Sequence, residues 1–149
     1  MNYHEENITV STVDNVVKIH HCSYKDDHFT RLMSDKYIKE YYLSLVKDYN
    51  GTALSFLMTK DGVPFGFLIC GENLNSEVKK FITKNWLYMF FLVIANPRFL
   101  IPKIKALFTR FSKTNWKSKA KVRLLSIAVD HNYQGSGVGK SMLISLEKR

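Results

Sequence analysis

Apolar residues recur along this chain with two periods, and the changes of period divide it into elements. "ITV" (Ile8 to Val10) predicts a short first strand. Ser11 or Thr12 then offers a helix cap, and Val13, Val16, Val17 and His20 fall on one helical face. From Ser34, a good cap, the 3-4 spacing returns at Ile38, Tyr41, Tyr42, Leu45, Val46 and Tyr49, and Asn50-Gly51 predicts the stop. "TALSFLMTKDGVPFGFLIC" holds two apolar runs around Asp61-Gly62. That pair suits a two-residue turn with positive φ, so the stretch predicts a hairpin. Pro64 cannot donate to a ladder, which places it at a strand start or on an unpaired edge.

In the second half, Ser76 opens a predicted helix with Val78, Phe81, Ile82 and Trp86 on one face. The pattern becomes apolar all round in "WLYMFFLVIA" (Trp86 to Ala95), and Asn96-Pro97 ends it. Ile104, Leu107, Phe108 and Phe111 predict a further helix, followed by a basic linker, "SKTNWKSKAK". "VRLLSIAVD" (Val122 to Asp130) predicts a buried strand. A glycine-rich loop follows, and Val138, Met142, Leu143 and Leu146 mark the inward face of a last helix. Strands interleaved with helices predict an α/β fold.

Composition adds two constraints. At 149 residues the chain can bury one domain core. Cys22 and Cys70 make no disulfide framework, and the polar opening "MNYHEENITV" has no signal-peptide pattern, so the expected compartment is the cytoplasm. The net charge of +9 is unevenly spread: twelve of the 22 lysines and arginines lie between Ser76 and Arg123, beside a single acid, Glu77. An anionic partner is expected at that segment.

The candidate chemistry gathers in "YQGSGVGKSM", Tyr133 to Met142. One reading is an ATP-binding P-loop. Gly139-Lys140-Ser141 fits its second half, but Gln134 stands where the first glycine belongs. The other reading fits better. "VDHNYQGSGVGKSML" resembles the acyl-CoA-binding signature of the GNAT acetyltransferases, [QR]-x-x-G-x-[GA], through Gln134, Gly137 and Gly139. "LLSIAVD" resembles the strand that leads into that loop, and the element order matches the N-terminal part of the family's fold.

The resemblance implies a GNAT-like mixed central sheet flanked by helices, with the family's C-terminal strands missing from this chain. Residues 76 to 120 would be a basic, aromatic helical insertion within a single domain, 1 to 149. It also implies acetyl-CoA as acyl donor, a primary amine as acceptor, and no metal. Backbone groups of Ile127, Ala128 and Val129 would pair with the pantetheine arm. Gln134, Gly135, Ser136, Gly137, Val138, Gly139 and Lys140 would surround the pyrophosphate, with Lys121 adding charge. A helix N-terminus supplies unpaired N–H groups and a positive dipole end, and glycines let the backbone approach phosphate closely.

Amine acylation needs groups that move a proton from the amine and protonate the leaving thiolate. The strand "RLLSIAV" has no carboxylate. Glu72 is the nearest acid in sequence, although a solvated strand end explains it better. Ser126 could orient a water. His20, His21 and Cys22 are adjacent on a helix and point to different faces, which argues against a metal cluster. Asp26 and Asp27 fall in the connection where the family shapes its acceptor pocket.

The ten apolar residues from Trp86 span about 15 Å as a helix, too short to cross a bilayer. They predict either a helical hairpin packed on the domain or an interfacial element, with Trp86, Phe90, Phe91 and Phe99 among the headgroups of an anionic membrane. No base-reading motif accompanies them, so nucleic acid is not expected. An exposed strand edge beside the missing strands would favour a homodimer. The functional alternatives are thus an amine N-acetyltransferase and a non-catalytic module that binds acyl-CoA or sits at a membrane surface.

Overall fold

The computed structural model describes residues 3–25, 28–47, 54–99 and 122–148. Four strands form one sheet: β1 (His4–Asn7), β2 (Phe56–Lys60), β3 (Val63–Gly71) and β4 (Arg123–Val129), in spatial order β1-β2-β3-β4. All three pairings among them are antiparallel. The α-helices among the described residues are α1 (Val13–Ser23), α2 (Asp35–Lys47), α3 (Leu74–Lys84), α4 (Trp86–Ala95) and α5 (Val138–Glu147).

The sheet separates two apolar clusters. On one face Leu57, Phe67, Ile69 and Ala128 pack with Val13, Val16 and Val17 of α1, Ile38, Tyr42 and Leu45 of α2, and Leu74 and Phe81 of α3. On the other, Phe56, Met58, Leu68 and Cys70 pack against Val138 and Met142 of α5. This is the α/β arrangement expected, with helices on both sides of a sheet.

Two bulges interrupt the alternation of side chains. Met58 pairs with Gly66 but Thr59 with Pro64, which leaves Phe65 as an extra residue on β3. Phe65 therefore joins the α5 face, although Phe67, two residues on, lies on the opposite face. Ile69 pairs with Ser126 and Cys70 with Leu124, so Leu125 is the extra residue on β4. Leu125 packs toward the same cluster as Ala128, which an unbulged strand would not allow.

The hairpin turn is Asp61-Gly62, with φ of 52° and 77°, as that pair predicts. Pro64 is the second residue of β3, before the pairing with β4 begins at Gly66. Val13, Val16, Val17 and His20 are all buried on α1, and Ile38, Tyr42 and Leu45 on α2.

Several expectations need correction. The first strand is His4–Asn7, fully exposed, and not Ile8 to Val10. Backbone pairing to β2 holds it, so it carries no hydrophobic signal. Ile8 is instead buried at the entry to α1, and Thr9 and Thr12 close a hydroxyl-bonded turn there: the Thr9 N–H donates to Thr12 Oγ1 at 2.8 Å. The helix predicted from Ser76 begins at Leu74 and breaks at Asn85, so Trp86 belongs to a second helix and is exposed. β4 is an edge strand of the described sheet and mostly half-buried, with Ala128 its one buried residue. Leu143 points outward. Tyr49, Asn50-Gly51, Asp26, Asp27, Lys121, the helix expected around Ile104 to Phe111 and the basic linker lie outside the described residues.

Candidate functional site

The glycine loop is built onto the end of β4 by its own short bonds. Asp130 Oδ1 accepts from the Asn132 N–H at 2.9 Å, and the Tyr133 N–H donates to the Asp130 carbonyl at 2.9 Å. These bonds shape a 3-10 turn, His131–Tyr133. The Tyr133 ring stacks on Phe65 at 4.4 Å between centroids, so the bulge on β3 anchors the loop to the sheet. Ser136 Oγ donates to the Tyr133 carbonyl at 2.5 Å. Gln134 Nε2 donates to the Val129 carbonyl at 2.8 Å, tying the loop back to the strand it leaves.

Gly135 and Gly137 adopt φ of 78° and 81°, where a Cβ brings strain. Gly137 is the N-cap of α5, so the loop ends on the unpaired N–H groups of a helix. Gly139 differs. It sits in the first turn of α5 in ordinary helical backbone, and a Cβ added there would meet nothing within 4 Å. Glycine weakens a helix by about 1 kcal/mol relative to alanine, and no described neighbour requires it here. Together Val129, Tyr133, Gln134, Gly135, Gly137, Val138 and Gly139 line an open depression of about 450 Å³. Gln134, Ser136 and Lys140 are exposed at this end of the molecule, while Val138 is buried beneath it.

The added-strand expectation for Ile127 to Val129 becomes more specific. The Asp130 N–H donates to the Phe65 carbonyl at 2.7 Å. By alternation Ala128 then turns its N–H and C=O toward β3, and Ile127 and Val129 turn theirs toward the open edge. The Val129 carbonyl accepts from both Gln134 Nε2 and Ser23 Oγ, at 2.8 and 2.9 Å. Ala128 is thus spent on the sheet, and the edge groups are those of Ile127 and the Val129 N–H.

Of the two catalytic candidates, one lies in a polar cluster and one does not. Ser126 Oγ is 2.6 Å from the Tyr24 hydroxyl, at the end of α1. The Tyr24 ring lies between His20 and His28, at centroid distances of 4.3 and 4.5 Å. His20 Nδ1 meets the Tyr42 hydroxyl at 2.8 Å, and its Nε2 meets Thr30 Oγ1 at 3.1 Å. Thr30 Oγ1 in turn lies 2.8 Å from His28 Nδ1. Burial raises the pKa of Tyr24, against a smaller opposing effect of its bond to Ser126. Burial also lowers His20 to about 4, helped by its neighbours His21 and His28, so its ring is neutral near pH 7. Glu72, by contrast, follows Gly71, which pairs with Arg123 at the start of β4. It is exposed and stands about 20 Å, the length of β4, from the glycine loop.

His20 and His21 diverge as expected for adjacent helical positions. Arg31 Nη1 donates to His21 Nδ1 at 2.6 Å, and His21 Nε2 meets Asp35 at 2.9 Å. Among the described residues no group of three or more His, Cys, Asp or Glu is arranged to hold a metal ion. Tyr24, His28 and Thr30 are the site residues that sequence reasoning missed. Their spacing is not periodic, and Tyr24, the one shown to meet β4, does so at Ser126, about a hundred residues away.

No family model matches the chain, and no curated protein matches its sequence. Solved structures do match its shape. A polyamine N-acetyltransferase from Drosophila melanogaster, an enzyme that catalyses the formation of N-acetylagmatine, superimposes with a TM-score of 0.57 at 13% identity. Arylalkylamine N-acetyltransferase 2 from Aedes aegypti does so with a TM-score of 0.59 at 18% identity. In both cases the match covers 99% of this chain and 70% of the other. With its sheet, its flanking helices and the glycine loop at the end of β4, the chain has the GNAT acetyltransferase fold.

Proposed function

We propose that this protein is an N-acetyltransferase that moves an acetyl group from acetyl-CoA to an amine. The observation that carries the reading is Gly139. The backbone conformation demands glycine at positions 135 and 137, but among the described residues nothing demands it at 139. A phosphate resting on the first turn of α5 supplies the missing reason, because only glycine or a residue as small as alanine, the two the signature takes at this position, lets the backbone come that close. The two solved structures of this shape are both amine N-acetyltransferases by name, which supports the same reaction class.

Residues Gly135 to Lys140 hold the donor's pyrophosphate through backbone N–H groups, with Lys140 adding a positive charge. Ile127 and the Val129 N–H offer the open edge of β4 to the amide arm. Acetyl-CoA supplies an activated thioester, so the chain need only orient an amine and manage one proton. Tyr24, kept protonated by burial, donates that proton to the departing sulfur. It recovers a proton from the attacking nitrogen through Ser126, 2.6 Å away. Ser126 is thus retained as a site residue in partnership with Tyr24, and Glu72 is given no role.

The test compares ligands and one variant. Acetyl-CoA and CoA should raise the melting temperature, and Mg-ATP should not. Gly139→Val should leave the free protein no less stable, as helix propensity requires, yet weaken acetyl-CoA binding at least tenfold. Undiminished acetyl-CoA affinity in that variant removes the basis of the proposal.

A further inference from the structure

The helix α4 has two faces, and both are apolar. Tyr88, Met89 and Leu92 pack toward the core, with the Tyr88 ring stacked on Tyr37 at 3.5 Å and its hydroxyl accepting from the Ser34 N–H at 2.9 Å. Trp86, Leu87, Phe90, Phe91 and Ile94 form the opposite stripe, each between 53% and 64% exposed. Their spacing of one, three, one and three residues makes a single continuous ridge along all ten residues of the helix. A ridge of five large apolar side chains with no charge among them is not an ordinary solvated surface.

The charge beside this ridge is in excess positive, although Lys80, Lys84 and Lys39 are paired with Glu77, Glu40 and Asp14. Lys79, Lys80 and Lys84 lie on α3 immediately before it and Arg98 just after it. Lys36 and Lys39 of α2 share a groove with Lys80 and Lys84, in which Glu40 is the one acid. The whole stretch from Ser76 to Arg123 holds twelve basic residues against Glu77. No described helix is long and apolar enough to cross a membrane, and α4 spans about 15 Å. We infer that α4 docks this protein on an anionic lipid surface, lying parallel to it with the ridge at the acyl boundary and the surrounding lysines among the headgroups. A protein partner would have to be both apolar at the ridge and acidic around it; a bilayer with anionic headgroups offers both at once.

The test uses the full chain with phosphatidylcholine vesicles, with and without phosphatidylserine. The protein should float with the serine-containing vesicles at low salt, bind at least tenfold less without the anionic lipid, and be released by high salt. Trp86→Ser combined with Phe90→Ser and Phe91→Ser should lower vesicle affinity by tenfold or more. The thermal melt should stay unchanged, because the ridge does not pack on the core. With Trp116→Phe as background, Trp86 fluorescence should shift blue on binding and be quenched by brominated lipid. Absence of binding to anionic vesicles at low salt overturns the inference, as does binding that the triple variant leaves intact. A dimer that the triple variant dissociates, with no change in vesicle binding, would assign the ridge to a second copy of the chain and overturn it equally.

Discussion

At the scale of single residues, three glycines within five positions answer to two different causes. Gly135 and Gly137 are fixed by backbone conformation, so alanine at either should cost about 1 kcal/mol in stability, measured by urea unfolding, whatever the ligand. At Gly139 neither a positive φ nor a described neighbour requires glycine. The loop was legible in the sequence because a turn with positive φ at alternate residues leaves a mark in glycine spacing. The Tyr24–Ser126 pair was not, because its members are 102 residues apart and neither type signals chemistry alone. Tyr24→Phe should lower kcat about a hundredfold while leaving the KM for acetyl-CoA near its original value. Steady-state kinetics checks this, and a purely structural tyrosine would instead lower the melting temperature without that split.

Among the elements, β4 contributes most to the candidate site and owes its position to a close approach. A Cβ at Gly66 would lie 3.2 Å from the Ala128 carbonyl oxygen, so β3 and β4 would have to part by a few tenths of an ångström to admit a side chain there. Gly66→Ala should therefore cost about 1 kcal/mol or more, and amide exchange should quicken along Arg123–Val129 more than in α2. The hairpin around Asp61-Gly62 could be read directly, since a tight turn needs particular residues. β1 could not, because an exposed strand held by backbone bonds has no apolar pattern. The break at Asn85 escaped for a related reason: apolar residues continue past it, and periodicity alone cannot distinguish one helix from two in sequence. The Asn85 side chain donates to the Phe81 carbonyl at 3.2 Å, closing the end of α3 just as α4 begins.

For the whole molecule, His20 joins three parts of one face: α1, the turn carrying Thr30, and α2 through Tyr42. Its folded pKa of about 4 lies below the ordinary histidine value of 6.5, so between these values the unfolded chain binds the extra proton. The stability that comes from a neutral His20 is complete above pH 6.5 and is lost as pH falls toward 4. Its size is on the order of 2–3 kcal/mol. Melting temperature should thus fall across this window, and His20→Asn should flatten the slope. The class of fold was legible from the order of periods, yet the linkage was not. A buried histidine on a helix face looks the same in sequence whether or not its ring nitrogens are satisfied. One consequence of the β4 bulge concerns insertions and deletions. Before it, Arg123 and Leu124 pair with Gly71 and Cys70; after it, Ser126 to Val129 pair with Ile69 to Gly66. Leu125 is the single residue by which the two pairings are out of phase. Deleting it would restore one uninterrupted register and leave every other partnership in the strand as it was, so in β4 the bulge acts as a reading-frame spacer.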